Sequence, residues 1–185
     1  IAGMLLDAGV TDLGENRIPE AERKVQALGD RGVWHMIGHL QRNKVRKAMP
    51  LFSMIHSADS IRLLEEMDRQ CGSLGLRNEV LLEVNVSGEE SKYGLSPEEL
   101  NATLRSAAAF THIRLRGLMT MAPYTDDPEE TRPVFRGLRK LLEESRTLAG
   151  PDFSLLSMGM TNDYEVAIEE GATHIRVGTA LFSGL

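Results

Sequence analysis

Two stretches near the end of the chain, LSMGMTND at 156–163 and HIRVGTA at 174–180, decide the fold. Each is a short apolar run that ends in a turn of small residues, and a ten-residue segment of helical pattern separates them. Strand, glycine turn, helix, strand, glycine turn is the local layout of a phosphate cup. Backbone N–H groups at such turns and at a helix start converge on one point and favour an anion. The same glycines also serve in plain, tight βα turns, so the pattern alone leaves both readings open.

The rest of the chain repeats this alternation. Strands are expected at Val10–Leu13, Val33–Ile37, Ser53–His56, Glu79–Val86, Ile113–Thr120, Phe153–Ser157 and His174–Val177. Helix signals fill nearly every gap. Ser96-Pro97-Glu98-Glu99 is a capping box with proline at the first helical position. Asp127-Pro128-Glu129-Glu130 repeats it with Asp as the cap. After Ser60, the residues Ile61, Leu64, Met67 and Cys71 recur every three or four positions, with Gly72 read as the stop. Val134, Leu138, Leu141 and Leu142 form a similar stripe. Asn162-Asp163-Tyr164-Glu165 opens the last full helix, and Gly171 closes it.

Regular β/α alternation implies parallel strands joined by helical crossovers. Seven units fit either a large open sheet or a TIM (β/α)8 barrel short of one strand. The barrel fits better, because no unit makes the long excursion of an open sheet's switch point. Residues 1–9 read as the end of a helix and its closing glycine, so a first strand is expected upstream of residue 1. The 185 residues are expected to form one domain.

Composition narrows the partners. Hydrophobic residues make up 42% and charged residues 26%, as in a soluble globular protein. A net charge of −6 gives no reason to expect nucleic acid or an anionic membrane as a partner. No apolar run approaches the ~20 residues that span a bilayer. A single cysteine, Cys71, forms no internal disulfide, which fits a reducing cytoplasm.

In a barrel of this class the site lies at the C-terminal ends of the strands, and phosphate commonly sits in the last two loops. Ser157 can donate its hydroxyl there, and Gly159 lets the backbone approach an anion. Gly178 and Thr179 offer matching donors after the last strand. Arg176 alternates with Ile175 and Val177, so it faces the barrel centre, either touching a ligand or paired with a carboxylate such as Glu83. In GENR at 14–17, Asn16 is either a helix cap or an amide at the rim that reaches a ligand. His35 and His39 lie four apart on a strand pattern, which gives no shared metal face, and no metal is expected. Met119 and Met121 read as core. QRNKVRK at 41–47 is either an anion or nucleic-acid patch or the solvated face of a helix, and no aromatics interleave with it. Lys92 lies in a rim loop, idle or holding a second anion. No nucleophile elbow, zinc motif, Walker loop or Rossmann fingerprint occurs, and no pair reads as a general acid and base.

GENR, WHMIGHLQRNK (34–44), IHSADS (55–60), VNVSGEESKYG (84–94), RGLMTM (116–121), LSMGMTND and IRVGTALF (175–182) together resemble the pyridoxal 5′-phosphate homeostasis proteins. That family is similar to the N-terminal barrel of alanine racemase, fold type III. The resemblance runs in order through essentially the whole chain. It implies that pyridoxal phosphate binds in the barrel mouth without turnover, in the balance of intracellular cofactor and amino acids. By motif it assigns Ser157, Gly178 and Thr179 to the phosphate, with Gly159 in the same turn. It sets Asn16 beside the ring and Arg176 near the pyridine nitrogen. Transient contact with apo-enzymes that use the cofactor is the partner it implies.

One family feature has no counterpart here. The lysine that links to the cofactor lies at the end of the first barrel strand, and Lys24, Lys44, Lys47, Lys92 and Lys140 do not match its motif. It is expected upstream of residue 1. The rival function is a fold type III enzyme such as an amino-acid racemase. Those enzymes take a second acid/base, typically a tyrosine, from an added β-domain. The chain ends at Leu185, shortly after the last strand, and Tyr93, Tyr124 and Tyr164 are expected in rim or helix segments.

Overall fold

In the computed structural model, which describes residues 1–89 and 92–182, seven parallel strands lie in sequence order in one sheet. They are β1 (Asp12–Glu15), β2 (Val33–Met36), β3 (Met54–Ala58), β4 (Asn78–Glu83), β5 (Ile113–Met119), β6 (Leu155–Met160) and β7 (His174–Arg176). Helices α1 (Ala2–Asp7), α2 (Ile18–Leu28), α3 (Val45–Ala48), α4 (Ile61–Leu74), α5 (Pro97–Ala107), α6 (Arg132–Ala149) and α7 (Tyr164–Glu169) alternate with them, and α8 (Thr179–Phe182) follows β7. The sheet is rolled. The ring of His174 on β7 lies 6.1 Å from that of His35 on β2 and 5.7 Å from that of His56 on β3. This is a nearly closed β/α barrel, one strand short of eight.

Strand alternation sorts the side chains into two apolar groups. Ile55, Val80, Leu82, Leu118 and Leu156 join the large core between sheet and helices. Their strand neighbours Met54, Leu81 and Met119 form a separate cluster, with Leu155 packed against it. That is the signature of a barrel with a filled interior.

All seven strands occur where expected, with shifted ends. β1 starts two residues late, because Val10 still donates its N–H to Leu5 O at the end of α1. β6 runs on to Met160. The capping box at Ser96 and Glu99 forms as read. Asp127 caps Glu129 N–H, but the first turn, Pro128–Thr131, is a 3-10 turn that leads into α6.

Gly72 does not stop α4, which continues to Leu74 and ends on Gly75 at φ 66°. A Cβ at Gly72 would stand 3.0 Å from the His112 ring, so this glycine makes room for a neighbour. The cations at 42–47 lie on a 3-10 turn and α3, where Arg42, Lys44, Arg46 and Lys47 are exposed while Val45 is buried. Met119 is buried as expected, but Met121 is 42% exposed beyond the strand end. Among the described residues no helix is long and apolar enough to cross a membrane.

One ion cluster fixes the last full helix. The buried carboxylate of Glu170, just past α7, meets Arg132, Arg136 and Arg139 of α6 at 3.1, 3.0 and 3.3 Å. Arg132 also meets Glu129 and Glu169, so α6 and the end of α7 are clamped together.

Candidate functional site

The C-terminal ends of β6 and β7 meet in the barrel mouth, paired at Met160 and Arg176. The loop after β6 turns sharply. Gly159 has φ 88°, and a Cβ there would stand 2.5 Å from Ala167 Cβ and 3.0 Å from Tyr164 Cα. Only glycine lets the strand end press this closely on α7. Asp163 holds the turn shut by accepting Met160 N–H at 2.6 Å, so its carboxylate serves the loop and not the helix N-terminus.

The two loops are joined. Gly178 donates its N–H to Thr161 Oγ1 at 3.3 Å. A Cβ at Gly178 would meet nothing within 4 Å, so open space faces this backbone. Among the described residues, the N–H groups of Thr161 and Asn162 have no hydrogen-bond partner. Thr179 opens α8 beside them, and its side chain is exposed.

Next to this cup lies Arg176. Its Nη1 donates to Ser157 Oγ at 2.7 Å and its Nη2 to Thr120 O at 3.0 Å, which leaves other N–H donors of the guanidinium uncommitted. Burial pulls its pKa down to about 10, so it stays charged at neutral pH. Among the described residues it makes no ion pair with Glu83. Burial and the nearby Asp59 push the Glu83 carboxyl up to about 7, and the charge of Arg176 opposes that rise.

Ser157, expected to offer its hydroxyl to an anion, is fully buried. Its Oγ lies 2.8 Å from His56 Nδ1, as well as accepting from Arg176. His56 Nε2 in turn lies 2.9 Å from His35 Nδ1, and His35 Nε2 lies 3.0 Å from Asp12 Oδ1. Burial, then the fields of His35 and Arg176, drive the His56 pKa down to about 2. Thr11, whose hydroxyl bonds Asp12, holds that carboxyl below its ordinary value. The sequence considers His35 only as a metal ligand and assigns no role to His56 or His174.

Asn16 directly follows β1 and Arg176 ends β7, the two edge strands of the rolled sheet. Among the described residues no hydrogen bond joins them. The residue does not cap α2: the cap position is Arg17, whose own side chain makes no cap hydrogen bond. Glu15 fixes the loop instead. It accepts the N–H groups of Asn16 and Arg17 at 2.7 and 3.2 Å and pairs with Lys24. Asn16 itself is exposed and borders a groove with His39, Lys44 and Lys47. Across the mouth, His39 stacks on Tyr93 at 4.0 Å and meets Asp59 at 3.2 Å. Lys92, half-buried, reaches Glu89 and Met121 O, and the other lysines are exposed.

A cup of open amides beside a fork of arginine donors is suited to an anionic group. The comparisons with known proteins point the same way. A family model described as alanine racemase, N-terminal domain, matches residues 1–185. A pyridoxal phosphate homeostasis protein of Aquifex aeolicus is 43% identical over 177 residues, covering 95% of this chain and 78% of that protein. One of Pseudomonas aeruginosa is 40% identical over 176 residues, covering 95% and 75%. Among solved structures, PipY of Synechococcus elongatus with PLP bound is 39% identical, with a TM-score of 0.86 over 95% of this chain and 83% of that one. Alanine racemase of Clostridium difficile, at 17% identity, shares the fold, with a TM-score of 0.79 over 98% of this chain and 50% of that one.

Proposed function

The chain belongs to the pyridoxal phosphate homeostasis proteins, within the family of the alanine racemase N-terminal domain, and from that premise we propose that it binds pyridoxal 5′-phosphate at the barrel mouth and holds it for supply. The observation that carries this reading is the cup joined at Thr161 and Gly178 beside Arg176, in a chain 39% identical to a protein solved with this cofactor bound.

The residues fit the group. The turns at Gly159 and Gly178, with Thr179, take the phosphate. Arg176 takes the ring nitrogen, and Ser157 serves the site by holding Arg176. Asn16 approaches the ring from the opposite edge strand. Bound pyridoxal phosphate supplies an aldehyde and an electron-accepting ring. Arg176, charged at neutral pH, offers the ring a hydrogen bond but no proton, which weakens electron withdrawal and favours holding over turnover. The protein is read as a cytoplasmic carrier that meets apo-enzymes transiently. Its lone cysteine, Cys71, is buried, and burial pushes its thiol up to about 11, so it stays unreactive.

Equilibrium dialysis of the purified protein with pyridoxal phosphate tests the reading. Saturable binding that weakens in Arg176→Met is expected, with no alanine racemisation by the loaded protein. Absence of saturable binding would overturn the cofactor assignment. Sustained racemisation would replace the carrier with a fold type III enzyme.

A further inference from the structure

Arg176, Ser157, His56, His35 and Asp12 form one unbroken hydrogen-bonded line through the barrel interior. With one proton on each imidazole, its two ends set where the protons between them sit. Arginine only donates, and an ionised carboxylate only accepts. Arg176 Nη1 therefore donates to Ser157 Oγ, and Asp12 Oδ1 accepts from His35 Nε2. With one proton on each imidazole, His35 has a bare Nδ1, which accepts from His56 Nε2. His56 then has a bare Nδ1 facing Ser157 Oγ at 2.8 Å, and the proton in that bond is the serine's own. All four bonds point the same way, from guanidinium to carboxylate.

This direction decides what Ser157 can do. Its hydroxyl proton is committed to His56, so its oxygen presents lone pairs to Arg176. Without the acceptor at His56 the hydroxyl is free to rotate, and a proton turned toward the guanidinium would repel it. We propose that His56 is a positioning residue for the cofactor site, which fixes Arg176 by taking the hydroxyl proton of Ser157. The inference rests on the reading of the mouth as a pyridoxal phosphate site.

Barrel filling alone does not account for these histidines. The other part of the interior is filled by Met54, Leu81 and Met119, which need no partners. Burying imidazoles costs desolvation unless their nitrogens are bonded. In this line no buried side-chain atom lacks a partner.

Three substitutions separate positioning from packing. His56→Asn sets an amide oxygen close to the place of Nδ1 and keeps an acceptor for Ser157. His56→Gln reaches the place of Nε2 and keeps only the donor to His35. His56→Leu keeps neither. The expected result is that His56→Asn binds pyridoxal phosphate within about threefold of the parent. His56→Gln and His56→Leu lose about tenfold and shift the absorption band of the bound cofactor. Thermal melting, recorded in parallel, falls in all three. Equal losses in His56→Asn and His56→Leu would overturn the proposal. Nitrogen-15 NMR of the unliganded parent gives a check that needs no variant. His56 protonated at Nε2 and bare at Nδ1 is expected, and a proton at Nδ1 would overturn the proposal. If the parent takes up no pyridoxal phosphate, the functional reading fails, while the NMR result still decides the proton placement.

Discussion

Gly178 gives its backbone N–H to the hydroxyl of Thr161, so the loops after β6 and β7 act as one unit although 16 residues separate those positions in the chain. Thr161→Val removes the acceptor at nearly constant volume. Pyridoxal phosphate affinity is expected to fall about three- to tenfold, with Thr161→Ser close to the parent, measured by equilibrium dialysis.

Gly159→Ala acts on the fold. The added methyl would stand 2.5 Å from Ala167 Cβ, at a φ of 88° that alanine disfavours. A loss of about 2–3 kcal/mol is expected from strain and overpacking together, read from urea denaturation.

Arg176→Lys keeps the charge and loses the fork. A lysine is one point charge and cannot hold Ser157 Oγ and Thr120 O in the fixed geometry of a guanidinium. Cofactor affinity is expected to drop about tenfold. The absorption band of the bound cofactor should shift, since its ring contact changes.

Glu83 gives the protein a pH dependence of known sign. Its carboxyl titrates near 7 in the folded state against an ordinary value of 4.5, so folding tightens its hold on the proton. The stability from this group is fully present below pH 4.5 and is lost as pH rises through 7. Glu83→Gln has no such proton. Relative to the parent, it should gain on the order of 2–3 kcal/mol between pH 4.5 and pH 8, measured by urea denaturation at both.

The barrel was legible in the sequence because each strand is a short run bounded by its own turn, and each helix carries its own apolar stripe. These are local signals. Errors fell where a distant partner intervenes. Gly72 reads as a helix stop, yet it is spared a side chain by His112, forty residues on. The cup was legible at Gly159 and Gly178, since turn chemistry is also local. The line behind it was not. Ser157 and His56 are 101 positions apart, and nothing in either neighbourhood marks the other. The available signal was weak: three of the five histidines fall within short strands, at His35, His56 and His174.

The grip of three arginines on Glu170, together with the close seat of Gly159 on α7, holds this half of the mouth in place from both ends of the helix. The loop loses its conformational entropy when the chain folds, well before a ligand arrives. Binding there then carries little ordering cost, and its heat-capacity change reflects desolvation of the cup and not local folding.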